Sequence, residues 1–512
     1  MKEKPIIGPI SFESYSGNHY IYSPKLSQVL LSHPLLNYFF VLEQEGTDLK
    51  EWINNLKSNK VTLKRYGSFS KRAIKYYYGK YQFLKENNFF SETGIEKKVS
   101  KRITPETIKS TLANLESICF EVTDACNLEC LYCAYGKFYK HKDERKNKCL
   151  SISLARNILE HLDDLRNSYL NIAHKKSFLI GFYGGEPLLN FEFIEKIVQF
   201  ARCLQVKHNN DISFGMTTNG VLLHKYMDFL VKNGFHLCIS LDGDEKNNGY
   251  RVFPDGKPSY KTVFRNIRLL KTTYPDYFKT KVTFNAVLHN KNSISGIHKY
   301  FKENFDKFPN FSEIGPYWIE DCRKKQFNEI YRNSYESINR VENYSEIEKD
   351  MFTELPNIRD ILLFIHQYSA FVFKTYNDFF ISKWDRNITP TGTCIPFQKK
   401  MYMSVNGKIL PCENIGHQNY LDIFDEQRKE IDTVRVAERY NKFLDKMAQC
   451  NTCCGADKCD QCMFNFINDD VVNKCAYIKN RKEFTTFLSK RLSTLEERPG
   501  LYPLIMDEVV YE

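Results

Sequence analysis

The chain has 512 residues, 42% of them hydrophobic, and its 73 basic and 62 acidic side chains leave a net charge of +11. That length exceeds one ordinary core and predicts two to four domains. No stretch approaches the roughly 18 uninterrupted apolar residues of a membrane span, and Met1-Lys2-Glu3-Lys4-Pro5 leads into no apolar secretion signal, so a cytoplasmic protein without a membrane partner is expected.

In a reducing compartment cysteines serve as metal ligands or reactive groups more often than as disulfides. The lysine excess reads as solvated surface. No basic cluster is interleaved with aromatics in a nucleic-acid module, so no nucleic-acid partner is expected.

Residues 1–95 read as a small domain. Ser16-Gly17-Asn18 is a turn between two short apolar runs, as in a hairpin. Leu35, Leu36, Phe39, Phe40 and Leu42 read as a buried helix face. Thr47-Asp48 caps a helix whose Leu49, Trp52, Ile53 and Leu56 share one side, and Ile74, Tyr77, Tyr78 and Tyr81 repeat that spacing. Hairpin, helices and closing helix resemble the winged-helix peptide-recognition element of ribosomal-peptide modification systems; a packing or dimerisation domain is the other reading.

Over 115–320 the pattern alternates. Strands are expected at Ile118–Val122, Phe178–Tyr183, Ile212–Met216, Leu237–Leu241, Val282–Leu288 and near Ile314–Ile319, and helices near 153–168, 191–206, 222–233, 259–274 and 293–305. Such alternation implies an α/β fold with a parallel sheet, here a partial (β/α)6 TIM-like barrel with functional residues at the carboxyl ends of its strands. Residues 321–390 read as a helical connector, 391–476 as a C-terminal cysteine-rich domain and 477–512 as a closing helix, over 478–497, with a tail.

Of the 16 cysteines, Cys126, Cys130 and Cys133 follow directly on the first strand. Three thiolates on one loop can converge on a metal group, and soft thiolates select zinc, copper or iron–sulfur. Zinc would want a fourth nearby ligand, and His141 is poorly placed for it. Three cysteines on a cubane leave one iron open to a small-molecule chelator. The spacing C-x3-C-x2-C, with Tyr132 before the third cysteine and a strand–helix array behind it, resembles the radical S-adenosylmethionine superfamily.

That resemblance implies a radical-initiating [4Fe-4S] cluster on Cys126, Cys130 and Cys133 that opens S-adenosylmethionine to a deoxyadenosyl radical. It further implies cofactor contacts from Tyr132, from Gly184, Gly185 and Glu186 after the second strand, from Thr218 and Asn219 after the third, and from Ser240 after the fourth. Glu186 would meet the methionine amino group and Arg251 the carboxylate. Asp242, facing the pocket, is the acid–base candidate. Where relatives often carry His-Asp ahead of the arginine, this chain has Asn247-Asn248.

Twelve residues separate Cys394 from Gly407, and four more separate Gly407 from Cys412; Cys450-x2-Cys453-x5-Cys459-x2-Cys462 and Cys475 follow. This resembles the seven-cysteine SPASM domain, although two residues separate Cys459 from Cys462 where the usual form has three, and Cys454 stands as an extra cysteine beside Cys453. The resemblance implies one or two auxiliary [4Fe-4S] clusters, one on Cys450, Cys453, Cys459 and Cys475 and one on Cys394, Cys412 and Cys462. A zinc ribbon is the other reading of two C-x2-C pairs. Cys119, Cys149, Cys203, Cys238 and Cys322 read as isolated thiols.

Together these resemblances imply a radical maturase that installs a carbon–sulfur or carbon–carbon cross-link in a ribosomally made precursor peptide with a leader sequence. An electron donor such as flavodoxin or ferredoxin would serve it. The alternatives are a formylglycine-forming anaerobic sulfatase maturase, whose relatives begin close to the cluster motif, and a non-catalytic metal-binding scaffold.

Overall fold

In the computed structural model, residues 6–26, 28–94, 102–172, 176–368, 392–425 and 427–508 are described. Ile6–Ile7 (β1) pairs antiparallel with Thr93–Gly94 (β7), bringing the two ends of the N-terminal unit together. Within it Ile10–Glu13 (β2), His19–Ser23 (β3) and Gln28–Leu31 (β4) form an antiparallel sheet. Its first turn falls at the expected Ser16-Gly17-Asn18, where Gly17 takes φ 84°. β4 is too short to show an alternation of its own and exists through its pairing with β3.

Pro34–Gln44 (α1), Leu49–Asn54 (α2) and Lys71–Glu86 (α3) follow, with the hairpin of Lys60–Leu63 (β5) and Gly67–Ser70 (β6) as a wing before α3. Asp48 caps α2 by accepting from Lys50 and Glu51 N–H, and Ser70 caps α3. Ile21, Leu35, Leu36, Phe39, Phe40, Ile53, Ile74 and Tyr81 form the buried core of the unit.

Pro105–Ala113 (α4) leads into the barrel strand Ser117–Thr123 (β8). Ile152–Arg166 (α5), Phe178–Gly184 (β9), Phe191–His208 (α6), Ile212–Thr218 (β10), Leu223–Lys232 (α7) and His236–Ser240 (β11) then alternate. Tyr260–Thr273 (α8), the short Pro275–Lys281 (α9), Val282–Leu288 (β12), Ile294–Phe305 (α10) and Asn310–Glu313 (β13) complete the array. All six strands are parallel, in the order β13-β12-β11-β10-β9-β8.

Inward-facing apolar residues such as Ile118, Phe120, Ile180, Phe182, Phe214, Ile239 and Phe284 are buried, as a sheet covered by helices requires. The sixth strand lies earlier than the apolar run Ile314–Ile319 suggested. Gly315-Pro316 interrupts that run, and proline has no N–H to pair. Asn310–Glu313, polar but adjacent to β12, makes the ladder instead.

The connector contains Lys324–Ile330 (α11), Ser334–Ile338 (α12), Tyr344–Met351 (α13) and Pro356–Tyr368 (α14); its remainder, 369–390, lies outside the described residues. Beyond it Lys400–Met403 (β14) pairs in parallel with β8, and Lys408–Leu410 (β15) and Asp422–Ile423 (β16) continue antiparallel, making one nine-stranded sheet. The cysteine-rich segment is thus joined to the barrel through a shared ladder.

Thr433–Lys446 (α15), the small pair Ile467–Asn468 (β17) and Val471–Val472 (β18), Arg481–Glu497 (α16) and Leu501–Glu508 (α17) complete the described residues. Asn480 and Glu483 form a capping box at the start of α16. Ile10, Phe12, Tyr20 and Tyr22 of the N-terminal sheet pack with Phe364, Tyr368, Phe484 and Leu488, tying that sheet to α14 and α16. Among the described residues no helix is long and apolar enough to cross a membrane.

Candidate functional site

The carboxyl end of β8 runs straight into the first cysteine loop. Asp124 fixes that loop: its carboxylate accepts from Lys146 N–H at 3.0 Å and Lys148 N–H at 2.7 Å, folding residues 145–149 back beside the strand end. From the other side the Gly184-Gly185-Glu186 segment closes on it. Gly185 N–H donates to Thr123 O and Glu186 N–H to Ala125 O, both at 2.8 Å. A Cβ on Gly185 would stand 1.9 Å from Ala125 O, and one on Gly184, where φ is 132°, 2.3 Å from Thr123 O. The two glycines let one backbone lie against the residues that carry Cys126.

Glu186 is fully buried, and its carboxylate accepts from Thr218 Oγ1 and Asn219 N–H at 2.7 Å and from Leu188 N–H at 3.2 Å. Burial pushes its carboxyl up to about 7 against those three donors. Asn219 in turn donates from Nδ2 to Asn127 Oδ1 at 2.7 Å and reaches Cys126 Sγ at 3.8 Å. Glu186, Thr218 and Asn219 therefore brace the ends of β9 and β10 against the cysteine loop.

Asp242 follows β11 and is also fully buried. Arg251 clamps it with Nε to Oδ2 and Nη2 to Oδ1, both at 3.1 Å; Val287 N–H donates at 2.9 Å and the Tyr132 hydroxyl donates to Oδ2. Burial works to raise its carboxyl, but Arg251 and His289, 3.6 Å away, outweigh it and hold the group down at about 2. The geometry makes Asp242 a fixed counter-charge for Arg251, without a proton to offer at neutral pH. Asn248 closes the intervening turn by accepting from Asp242 N–H at 3.2 Å, while Asn247 N–H donates to Asp244 at 2.8 Å. The Asn-Asn departure thus has a defined place. Ser240 ends β11 and is partly exposed.

The three thiols lie within electrostatic reach of one another; burial pushes Cys126 up and Cys130 up to about 12. Cys133 accepts from Arg145 Nη2 at 3.4 Å, and Arg145 Nε is buried without a partner. Desolvated thiols beside a cation are a donor set that a metal group would complete as thiolates. His141, eight residues on, is buried, with its ring nitrogen Nδ1 unpartnered.

In the second field Cys450, Cys453, Cys459 and Cys475 act electrostatically on one another, and Cys394, Cys412 and Cys462 do likewise. Burial pushes Cys450 and Cys412 each up to about 12. Cys454 lies apart from both groups in kind: its N–H donates to Lys479 O at 2.8 Å, and its side chain packs against the N-terminal sheet core. Among the described residues no three His, Cys, Asp or Glu side chains are drawn closely enough to share one metal ion.

Sequence reasoning passed over Asp124, Asn127, Arg145 and His289. Arg145 sits in the lysine-rich stretch Lys140–Lys148, where one more cation carries no signal, and His289 follows β12 in a segment with no motif.

Residues 120–303 match the Radical SAM superfamily. The chain is 31% identical over 175 residues to the uncharacterised protein MJ0907 of Methanocaldococcus jannaschii, an alignment covering 34% of this chain and 55% of that one. It is 27% identical over 211 residues to the radical SAM cyclopropyl synthase TigE of Paramaledivibacter caminithermalis, covering 39% and 41%. The chain thus spans about half the length of these curated relatives. Its fold is similar to that of native anSMEcpe solved with AdoMet and the Kp18Cys peptide, at 18% identity and TM-score 0.52, covering 76% of this chain and 99% of that one.

Proposed function

We propose that this radical SAM superfamily enzyme modifies a ribosomally made peptide, installing a carbon–sulfur or carbon–carbon cross-link. Cys126, Cys130 and Cys133 would hold a [4Fe-4S] cluster, and the residues present fit it: three thiols on one loop, two of them desolvated, with a half-buried guanidinium donating to the third. With S-adenosylmethionine bound, such a cluster supplies a deoxyadenosyl radical able to take hydrogen from an unactivated carbon.

The chain's own residues shape the site for that chemistry. Glu186 braces β9 to β10, so the methionine end of the cofactor would meet the backbone and Arg251 around the pocket and not a free Glu186 carboxylate. Arg251, charged and paired with Asp242, would orient the cofactor's carboxylate. Tyr132, with its hydroxyl tied to Asp242, holds its ring fixed beside the third cysteine.

The observation that supports the peptide reading is the ladder between β14 and β8, which joins the strand between Cys394 and Cys412 to the strand that leads into the first triplet. A second electron-accepting group built onto the barrel suits an oxidative bond-forming reaction, in which a substrate radical must lose an electron. The peptide bound in anSMEcpe and the cyclopropyl synthase activity of TigE lie in the same direction. In the N-terminal unit β2 is covered by α16, whereas β4 is the other edge of the β2-β3-β4 sheet and pairs with no further strand among the described residues, so a leader peptide would pair there.

The test is anaerobic reconstitution of the full chain, with iron and sulfide counts, followed by co-expression with a short peptide encoded beside it. Loss of two hydrogens per bond in the peptide's mass, abolished in the Cys126→Ala, Cys130→Ala, Cys133→Ala variant, is expected. Deoxyadenosine still formed by that variant would overturn the assignment.

A further inference from the structure

Between the two cysteine fields lies a buried polar assembly that the radical SAM chemistry does not itself require. Tyr135, two residues beyond Cys133, donates from its hydroxyl to Glu121 Oε1 at 2.5 Å and stands 3.0 Å from the Tyr402 hydroxyl. Glu121 belongs to β8 and Tyr402 to β14, so this contact crosses the ladder that joins the barrel to the cysteine-rich segment. Glu121 Oε2 accepts from Val405 N–H at 2.9 Å, which leaves the carboxylate fully engaged and fully buried.

Two cations close on the same ring. The Arg145 guanidinium lies 4.9 Å and the Lys142 ammonium 5.8 Å from the centre of the Tyr135 ring. Lys142 donates to the carbonyls of Glu413 and, at 2.8 Å, of Ile415, on the loop that carries Cys412. Arg145 donates to Cys133 Sγ at 3.4 Å and keeps its Nε–H buried and unpartnered. Asp124 pins the backbone on the far side of Arg145 through Lys146 and Lys148 N–H. The guanidinium is thus held by a ring on one face and a fixed backbone at its root, with its Nη2 on the thiol and its Nε–H buried and unpartnered.

We infer that Arg145 is a positioning residue that sets the reduction potential of the group held by Cys126, Cys130 and Cys133, and that Tyr135 fixes it in place. This rests on the cluster reading above. Reduction adds one electron and no proton at that site, so a fixed positive charge and an N–H donor at Cys133 favour the reduced state over the oxidised one. An external one-electron reductant of low potential supplies the electron, and Arg145 changes no bond.

The experiment is an EPR-monitored redox titration of the reconstituted full chain with dithionite, following the signal that changes on addition of S-adenosylmethionine. Arg145→Gln, which removes the charge, is expected to shift the midpoint to lower potential than the wild type. Arg145→Lys, which keeps a charge but loses the planar fork, should fall between the two, and Tyr135→Leu should follow Arg145→Lys. If Arg145→Gln does not take up iron, the order of wild type, Arg145→Lys and Tyr135→Leu decides. Full iron loading with unshifted midpoints would overturn the role of Arg145 alone. A wild-type chain without any signal responsive to S-adenosylmethionine would overturn the cluster reading, and this inference with it.

Discussion

Asp242 and Arg251 form a buried pair whose value lies in what its removal would leave behind. Asp242→Asn keeps the shape but strands a guanidinium that is 7% exposed. Breaking one partner of such a pair costs about 3–5 kcal/mol, and urea denaturation of the variant should show a loss of that size. Removing both charges with Asp242→Asn and Arg251→Met should return part of the loss, because no unpaired buried charge remains.

Glu186 titrates in the opposite sense. Its folded-state carboxyl is pushed up to about 7, while the unfolded chain releases the same proton near about 4.3. Below pH about 4 both states are protonated and nothing is lost. As pH rises through that value to about 7, the unfolded state ionises first and the wild type loses up to about 4 kcal/mol. Glu186→Gln cannot ionise, so the stability of the wild type relative to it should fall between pH 4.5 and 7, as measured by urea midpoints at each pH. The variant has its own defect at every pH: its amide nitrogen cannot accept from Asn219 N–H, a loss of about 1–3 kcal/mol. That both residues stand at strand ends is legible in the sequence. That Glu186 is a brace and Asp242 a counter-charge is not, because their partners lie 32 residues away in Thr218 and nine in Arg251.

At the scale of elements the Gly-Gly turn after β9 is the part with least freedom. Gly185→Ala would place a methyl group 1.9 Å from the Ala125 carbonyl, and backbone cannot yield as a flexible side chain can. The expected outcome is a displaced cysteine loop, seen as sub-stoichiometric iron at the first triplet after reconstitution and a stability loss of about 1–3 kcal/mol or more. Gly256→Ala serves as a control: its φ is 81°, but no atom stands within 4 Å of its added Cβ, so it should leave iron uptake at the triplet intact.

The five strands from β8 to β12 were readable because each is a run of buried residues with flanking helices. β13 was displaced because Gly315-Pro316 breaks the apolar run that seemed to mark it. β4 and the wing of β5 and β6 are not legible because strands of four residues are too short for a period to stand out from a loop. The helices fared better, because caps such as Asp48 and an apolar stripe both mark them.

For the molecule as a whole, the shared sheet decides which parts can be separated. The sequence presents the cysteine-rich segment as its own unit, and nothing in its composition announces that Lys400–Met403 lies in parallel beside Ser117–Thr123. Parallel pairing between strands so far apart in the chain is invisible to local pattern. A chain ended after residue 391 would expose the β8 edge and the barrel surface covered by Met401, Tyr402, Met403, Ile409 and Leu410, all fully buried. An open edge beside an uncovered apolar face is a template for aggregation, so that truncation should appear in the insoluble fraction.

The N-terminal unit differs, since it has a core of its own and meets the rest mainly through the aromatic contact of Phe12, Tyr20 and Tyr22 with Phe364, Tyr368, Phe484 and Leu488. Removing residues 1–95 should therefore leave the barrel folded, with its far-UV circular dichroism scaled to the remaining helices, while α14 and α16 lose their cover and the thermal midpoint falls. Within the full chain, Phe484→Ala tests the same joint without deleting anything. Phe484 is 1% exposed, and loss of such a ring costs about 3–5 kcal/mol. If β4 is where a leader peptide pairs, the deletion should weaken binding of the precursor, measured by fluorescence anisotropy, and spare uncoupled cleavage of S-adenosylmethionine. Phe484→Ala should keep precursor affinity within a few-fold, because it thins the packing beneath Tyr22 and Val29 but keeps the β4 strand and its pairing with β3; equal loss of affinity in both would place the peptide at the joint with α16 instead.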